Sequence, residues 1–446
     1  MASSEKKSIM GHVAEPVDAN TNLSSGPNSL DHEPSSALDD QEVFKSDGKV
    51  AFRTITWQRL IIILLKVQIA TGVLGIPGAM GSLGAVPGAL LIVGWQALNT
   101  YTACVLIDFR NKHPSCHTIV DMCGVMWGRI GREITGIIFV IAFVLCSGSG
   151  MLAISVALNA LSTHGACSVW FGFVAMILVT MYSSIRTWNR MTWPMTVGFI
   201  CVMGGILAVV IGVAVRDRPA AAPATGPFDL GFRVVGHPEF AAGITATATI
   251  FVSSAGGPGY IPIVAEMRRP QDYRKAVIPV GFIVAAVYLS MSMVVYYYCG
   301  VWIATPSLGS AGPHVKKIAY GIALPSLVVS AGIFNHTAAK YAFVRLMRRS
   351  KHFQRNSWQH WSVWLSANLV VAALAFILAE AIPVFNYMLA LTGAVCFAPM
   401  SLMFPACMWI YQYGAPSLTK GWKGKLAYGF HLLILAVGTF LLVGGM

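Results

Sequence analysis

The chain has 446 residues, 56% of them hydrophobic and 11% charged, with a mean hydropathy of +0.65 and a net charge of +13. A soluble globular protein carries about a quarter charged residues, so this composition excludes a cytosolic enzyme and a nucleic-acid binder. It is the composition of an all-α polytopic membrane protein, and the excess positive charge is informative mainly through its position.

Residues 1–50 hold nine acidic residues and four lysines, a local charge of −5, with frequent Ser, Pro, Asn and Asp. They contain no apolar run that would serve as a signal-peptide core and read as a disordered acidic cytoplasmic tail. Residues 51–446 carry 27 basic and nine acidic residues, a charge of +18, and form a transmembrane domain. Stretches without Asp, Glu, Lys or Arg run 67–107, 134–185, 191–215, 240–265, 276–315, 318–339, 356–379, 381–419 and 426–446. A spanning helix takes about 20 apolar residues. The first stretch, extended back to Trp57, and the second each hold two spans, divided near 81–87 and 162–165. The other seven hold one each, which predicts 11 spans.

Basic residues between spans set orientation. Twenty-four of the 31 fall on one side: six up to the first-span entry (Lys6, Lys7, Lys45, Lys49, Arg53, Arg59), the rest within 110–132, 186–190, 268–275, 345–355 and 420–425. Five fall on the other side (Arg216, Arg218, Arg233, Lys316, Lys317), and Lys66 and Lys340 lie within spans. This split predicts a cytoplasmic N-terminus and, with 11 spans, an external C-terminus.

Two spans are poor continuous helices. The first contains Thr71-Gly-Val-Leu-Gly-Ile-Pro77, and the sixth contains Ser253-Ser-Ala-Gly-Gly-Pro-Gly-Tyr-Ile-Pro262. Five spans separate them, and because five is odd the second group starts from the opposite face. That is the pattern of an inverted repeat with paired discontinuous helices. At each break one half-helix offers unpaired carbonyls and the next offers unpaired N–H groups. The N–H ends suit a carboxylate and the carbonyl ends an ammonium or metal cation. Irregular backbone at this depth must line a protein-buried cavity. No acidic or basic side chain lies in either break, so a site of backbone dipoles suits a zwitterion such as a neutral amino acid. Glycine-rich kinks that serve only close packing are the alternative.

The stretches Leu65-Lys-Val-Gln-Ile-Ala-Thr-Gly-Val-Leu-Gly-Ile-Pro77 and Val264-Ala-Glu-Met-Arg-Arg-Pro-Gln-Asp-Tyr-Arg-Lys-Ala276 resemble the amino acid/auxin permease family of the amino acid–polyamine–organocation superfamily. The likeness covers residues 50–446 and is strongest to fungal neutral amino acid permeases. It implies five plus five inverted spans, one extra C-terminal span, and proton-coupled uptake of neutral, including aromatic and aliphatic, amino acids, with a plasma-membrane location. Carried over residue by residue, it implies that backbone at Thr71, Gly72, Val73, Leu74 and Gly75 meets the substrate carboxylate. Backbone near Phe251, Ser253, Ser254 and Gly256 supplies the partner contacts. Ser147 and Ser149 in the third span could line the pocket, and Phe251 and Phe334 are candidates for its side-chain wall.

A charge at mid-bilayer is costly unless paired or wet, so each is a functional candidate. Lys66 lies about one turn before the first break, and His336 and Lys340 stand i, i+4 on the eighth span. In sodium-coupled members of the wider architecture a cation bridges helices one and eight, and a lysine there could replace it. Lys66 or Lys340 is therefore the expected coupling residue, with His336 or Glu266 as proton exchange partner. The alternatives are that both lysines snorkel to the cytoplasmic edge, that Glu266 pairs with Arg59 or Arg268 in an inner gate, and that His336 is a hydrogen-bonded packing residue.

The segment His113-Pro-Ser-Cys-His117 with Asp121 and Cys123 has metal-ligand residue types, but its spacing matches no zinc pattern. No metal or cofactor is expected. A membrane-embedded enzyme would need clustered nucleophile and base, whereas Glu266, Glu380, His336 and His431 are scattered over four spans. A receptor or channel fits the inverted pair less well than a transporter, though a transporter can also sense nutrients. A vacuolar transporter, or one for a different small zwitterionic or cationic solute, stays open.

Overall fold

The computed structural model describes residues 55–445 apart from 224, 348–349, 351–356 and 420. The acidic segment 1–50, and Arg53, Arg348, Arg349, Lys351, Arg355 and Lys420 of the basic set, lie outside the described residues. Among the described residues the regular structure is helical: α1 (Trp57–Gln68), α2 (Ile76–Leu83), α3 (Ala85–Lys112), α4 (Ile119–Ser162), α5 (Ser168–Ser183), α6 (Trp188–Ala214) and α7 (Phe240–Ser254). The second part continues with α8 (Gly257–Val264), α9 (Arg274–Cys299), α10 (Pro313–Met347), α11 (Trp358–Ala381), α12 (Phe385–Leu391), α13 (Phe404–Thr419) and α14 (Trp422–Gly444).

Nine of the helical stretches are long and apolar enough to cross a membrane: α3, α4, α6, α7–α8, the segment from Pro270 through α9, α10, α11, α12–α13 and α14. A tenth is the pair α1 and α2, bent by 44° at the first break. The remaining predicted span, the fourth, is the 16-residue apolar helix α5. In chain order these fill the 11 expected positions, with the first and sixth broken. The turns joining α12 to α13 are π-helical, at Thr392–Phe397 and Pro399–Met403.

The region 110–132, whose basic residues lie between spans, is mostly helix. α3 runs on to Lys112 and α4 starts at Ile119, with a kink where Gly128 adopts φ 65°. Asp121 supplies the cap at the start of α4: its Oδ2 accepts from the N–H groups of His117 (3.2 Å) and Thr118 (3.3 Å). A carboxylate there offsets orphan amides and favours the helix dipole. This role accounts for the acidic residue in the His/Cys-rich segment, and among the described residues no three His, Cys, Asp or Glu are placed to hold a metal ion.

α10 packs against α4, α5, α6 and α11, while α1, α2, α7 and α8 sit among α3, α6, α9 and α12. Extended backbone ties the first span at both ends. At one end Ile55 pairs with Met267, its N–H donating to Glu266 O (3.2 Å) and its carbonyl accepting from Arg268 N (3.0 Å). At the other, Ala85 N–H donates to Arg233 O and Gly236 N–H to Leu83 O. Gly84 makes that second turn with φ 90°, a conformation that disfavours any side chain.

Candidate functional site

The sequence stops α1 at Gln68 because Gly72, Gly75 and Pro77 follow in quick succession, and it stops α7 at Ser254 because Gly256, Gly257 and Pro258 follow. The two breaks meet. A Cβ on Gly72 would lie 2.7 Å from Ser253 Oγ and 3.0 Å from Ser253 Cα, so only glycine lets them approach this closely.

At the first break the N–H groups of Ala70, Thr71, Gly72 and Val73 find no acceptor among the described residues. These are the orphan donors that begin a half-helix. The second break is mostly closed on itself: Gly256 N–H donates to Ser254 O (3.0 Å), and Gly259 and Tyr260 N–H both donate to Gly256 O, which leaves Gly257 N–H without an acceptor among the described residues.

Side chains outside the motifs join the breaks. Gln68 Nε2 donates to Ser253 O (2.8 Å), and Tyr260 OH donates to Gln68 Oε1 (2.5 Å). Tyr288 OH, from α9, reaches both Gln68 O (2.6 Å) and Ser253 O (3.0 Å). Asn99 Nδ2, from α3, donates to Ser254 Oγ (2.8 Å). The sequence reading missed Gln68, Asn99, Tyr260 and Tyr288. The only signal for them was polarity inside apolar spans.

A small cavity of about 50 Å³ lies beside the joint. Of the residues expected at the site, Thr71, Gly72, Ser149, Ser253, Gly256 and Phe334 line it. Its other walls include Phe143, Leu389 and Phe397, which were not anticipated. Phe251 faces away, edge-on to Trp95 at 5.0 Å. Gly75 packs towards Leu389, Thr249 and Asn386, and Val73 and Leu74 are buried in the core. Ser147 is buried without a hydrogen-bond partner among the described residues. The lining is mainly apolar and aromatic, and its polar component is Gln68, Thr71, Ser149 and Ser253 with the backbone amides.

Lys66 does not snorkel. It is fully buried, and Nζ donates to Ser326 Oγ (2.7 Å) and Ser330 Oγ (2.6 Å), tying α1 to α10. Gly198 of α6 leaves room for it, since a Cβ there would lie 3.1 Å from Lys66 Cε. Lys340 is elsewhere: its Nζ pairs with Glu266 Oε1 at 2.7 Å, next to the Ile55–Met267 pairing. Glu266 therefore pairs with neither Arg59 nor Arg268, and Arg59 donates to Asn189 Oδ1 (3.1 Å). The reason is reach: α10 brings Lys340 to the buried carboxylate, whereas Arg59 lies on an exposed face of α1.

His336 is buried between Trp188 (5.0 Å) and Trp364 (5.3 Å), both edge-on, and its Nδ1–H donates to Ser183 O (3.1 Å). His431 stacks on Trp409 at 3.8 Å and accepts from Tyr101 OH (3.0 Å), which pins α14 to α13 and α3. Neither histidine is among the residues that join the breaks or line the cavity.

A family model described as "Transmembrane amino acid transporter protein" matches residues 53–446. A "Transmembrane transporter" of Gibberella moniliformis is 49% identical over 408 residues, covering 91% of this chain and 85% of that protein. An "N amino acid transport system protein" of Neurospora crassa is 29% identical over 410 residues, covering 90% and 87%. Among solved structures, MhsT in complex with L-phenylalanine superposes with a TM-score of 0.58 at 13% identity, covering 88% of this chain and 99% of that one. A substrate-bound, outward-open Na+-coupled sialic acid symporter gives 0.55 at 11% identity, covering 89% and 90%. These two likenesses bear on the fold, which is that of transporters built on broken helices.

Proposed function

The chain belongs to the transmembrane amino acid transporter family, and on that premise we propose that it imports neutral amino acids in symport with protons, by alternating access, at the plasma membrane. Family and fold are those of transporters rather than enzymes. The observation that carries the substrate reading is the row of unpaired amides at Ala70–Val73, beside a cavity whose lining residues include no Asp, Glu, Lys or Arg. Those amides hold the carboxylate, as half-helix N-termini do. The ammonium lies against the second break at Ser254 and Ala255, because both lone pairs of the Ser253 carbonyl are already used. Phe143, Phe334 and Phe397 receive an apolar or aromatic side chain.

Lys66 is the coupling residue in this reading. Protonated, it holds Ser326 and Ser330 and so fixes α1 against α10. Deprotonated, it loosens that contact and lets the first helix move. The N-terminus and the acidic tail are cytoplasmic, and Glu266–Lys340 with the Ile55–Met267 pairing forms the inner gate, which opens when the pair separates. The test is uptake of radiolabelled amino acids in permease-deficient cells, with and without an imposed pH gradient. Uptake of neutral amino acids that rises as the outside is acidified is expected. No uptake of any of them would overturn the substrate, and sodium dependence without pH dependence would overturn the coupling.

A further inference from the structure

The joint between the broken helices contains a second arrangement that the coupling account does not use. Gln68 O closes the C-terminal end of α1, and Ser253 O lies in the last turn of α7. The C-terminal ends of half-helices carry partial negative charge and unpaired carbonyls. Here two such ends converge on one point, since a single hydroxyl, that of Tyr288, reaches both oxygens at 2.6 and 3.0 Å. Convergent carbonyls of unwound half-helices are the kind of group that coordinates a monovalent cation in discontinuous-helix transporters.

We propose that Tyr288 is an internal substitute for a cation at this joint: its hydroxyl supplies the positive end that the two half-helix carbonyls require, and so makes transport independent of sodium at that position. Tyr288 is buried and comes from α9, a span outside both broken helices, so its donor stays in place when no ion is bound. Ser253 O has its remaining lone pair filled by Gln68 Nε2 (2.8 Å), and the Gln68 amide is fixed in turn by Tyr260 OH. Tyr288 has a single proton, shared between Gln68 O and Ser253 O, and its hydroxyl occupies the point between the two carbonyls where an ion would sit. Removing only the Tyr288 hydroxyl takes away the one proton that the two carbonyls share, and recreates a cation site between them.

The proposal rests on the reading of the chain as an amino acid importer, and its test separates the two. Uptake is compared in Na+, Li+ and choline media at fixed pH for the wild type, Tyr288→Phe and Tyr260→Phe, alongside melting temperatures of the solubilised proteins in the same salts. The wild type should be indifferent to the salt in both readouts. Tyr288→Phe should lose about tenfold in choline, the scale of one buried hydrogen bond left unmade, and recover most of it in Na+ or Li+, with a matching cation-dependent rise in melting temperature. Tyr260→Phe frees only the Gln68 side-chain oxygen and neither half-helix carbonyl, and should not respond to the cation. Wild-type dependence on Na+, a folded Tyr288→Phe that ignores both cations, or a Tyr288→Phe that yields no folded protein even in Na+ would each overturn the proposal. If the wild type takes up no amino acid, the importer reading fails, and the melting temperatures still decide the role of Tyr288.

Discussion

The two breaks sit at matching places in the two halves of the chain, but their backbone polar groups are satisfied differently. At α7–α8 most of the groups are spent internally, Gly257 N–H excepted: Ser253 O on Gln68 and Tyr288, Ser254 Oγ on Asn99, and Gly256 O on the amides of Gly259 and Tyr260. At α1–α2 a 44° bend leaves the amides of Ala70–Val73 without acceptors. Unsatisfied backbone at this depth costs several kcal/mol per group unless something else supplies the partner. The difference teaches that the two halves divide the work: the second break is a fixed wall, and the first is the half-helix end left for a ligand and for movement.

The largest effect that would break this comparison comes from Lys66. In Lys66→Met, Ser326 and Ser330 lose a donor that holds α1 to α10. Accumulation driven by a pH gradient should fall at least about tenfold, since hydrogen bonds to a charged group are worth about 1.5–3 kcal/mol each. Full pH-driven accumulation by this variant would remove Lys66 from the coupling step. Next comes Gly72→Val, which puts bulk against Ser253 backbone at the approach of the two breaks. Overpacking of this kind costs about 1–3 kcal/mol, and uptake should drop steeply while surface expression is retained. Unchanged uptake would show that the breaks need not touch.

Gln68→Leu sharpens the contrast. It deletes the side-chain bridge between the breaks while keeping similar bulk, and it leaves Tyr260 OH and one lone pair of Ser253 O unpaired. The solubilised protein should lose about 1–3 kcal/mol, read as a lower melting temperature with a smaller change in uptake. The smallest effect is expected from Asn99→Leu, which touches only Ser254 Oγ on the wall side. It should leave the pH dependence of uptake intact. A change in pH dependence would mean that the second break moves as well.

Much of this was legible in the sequence because it depends on local order. Charge-free stretches gave the spans, and glycine and proline in quick succession marked Gly72–Pro77 and Gly256–Pro262 as breaks. Lys66 was visible as a charge where none is cheap. What was not legible depends on pairings across many residues. Gln68 finds Ser253 and Tyr288 finds Gln68 only after α1, α7 and α9 have packed. Glu266 and Lys340 were each singled out, but an exposed arginine nearby in sequence was as good a partner for Glu266 until α10 delivered Lys340. Phe251 looked like a pocket wall by its place next to the break, whereas the helical phase turns it onto Trp95. Phe143 and Phe397 carried no local sign of lining a cavity, since aromatic residues are common in every span.

The most direct measurement uses purified protein in liposomes whose lumen is neutral and whose bath is stepped to acid pH in sodium-free buffer, with a labelled neutral amino acid present. The account predicts accumulation above the equilibrium level that collapses on adding a protonophore and is unchanged by sodium. Entry that stops at equilibrium whatever the pH step, or accumulation that requires sodium, would contradict it.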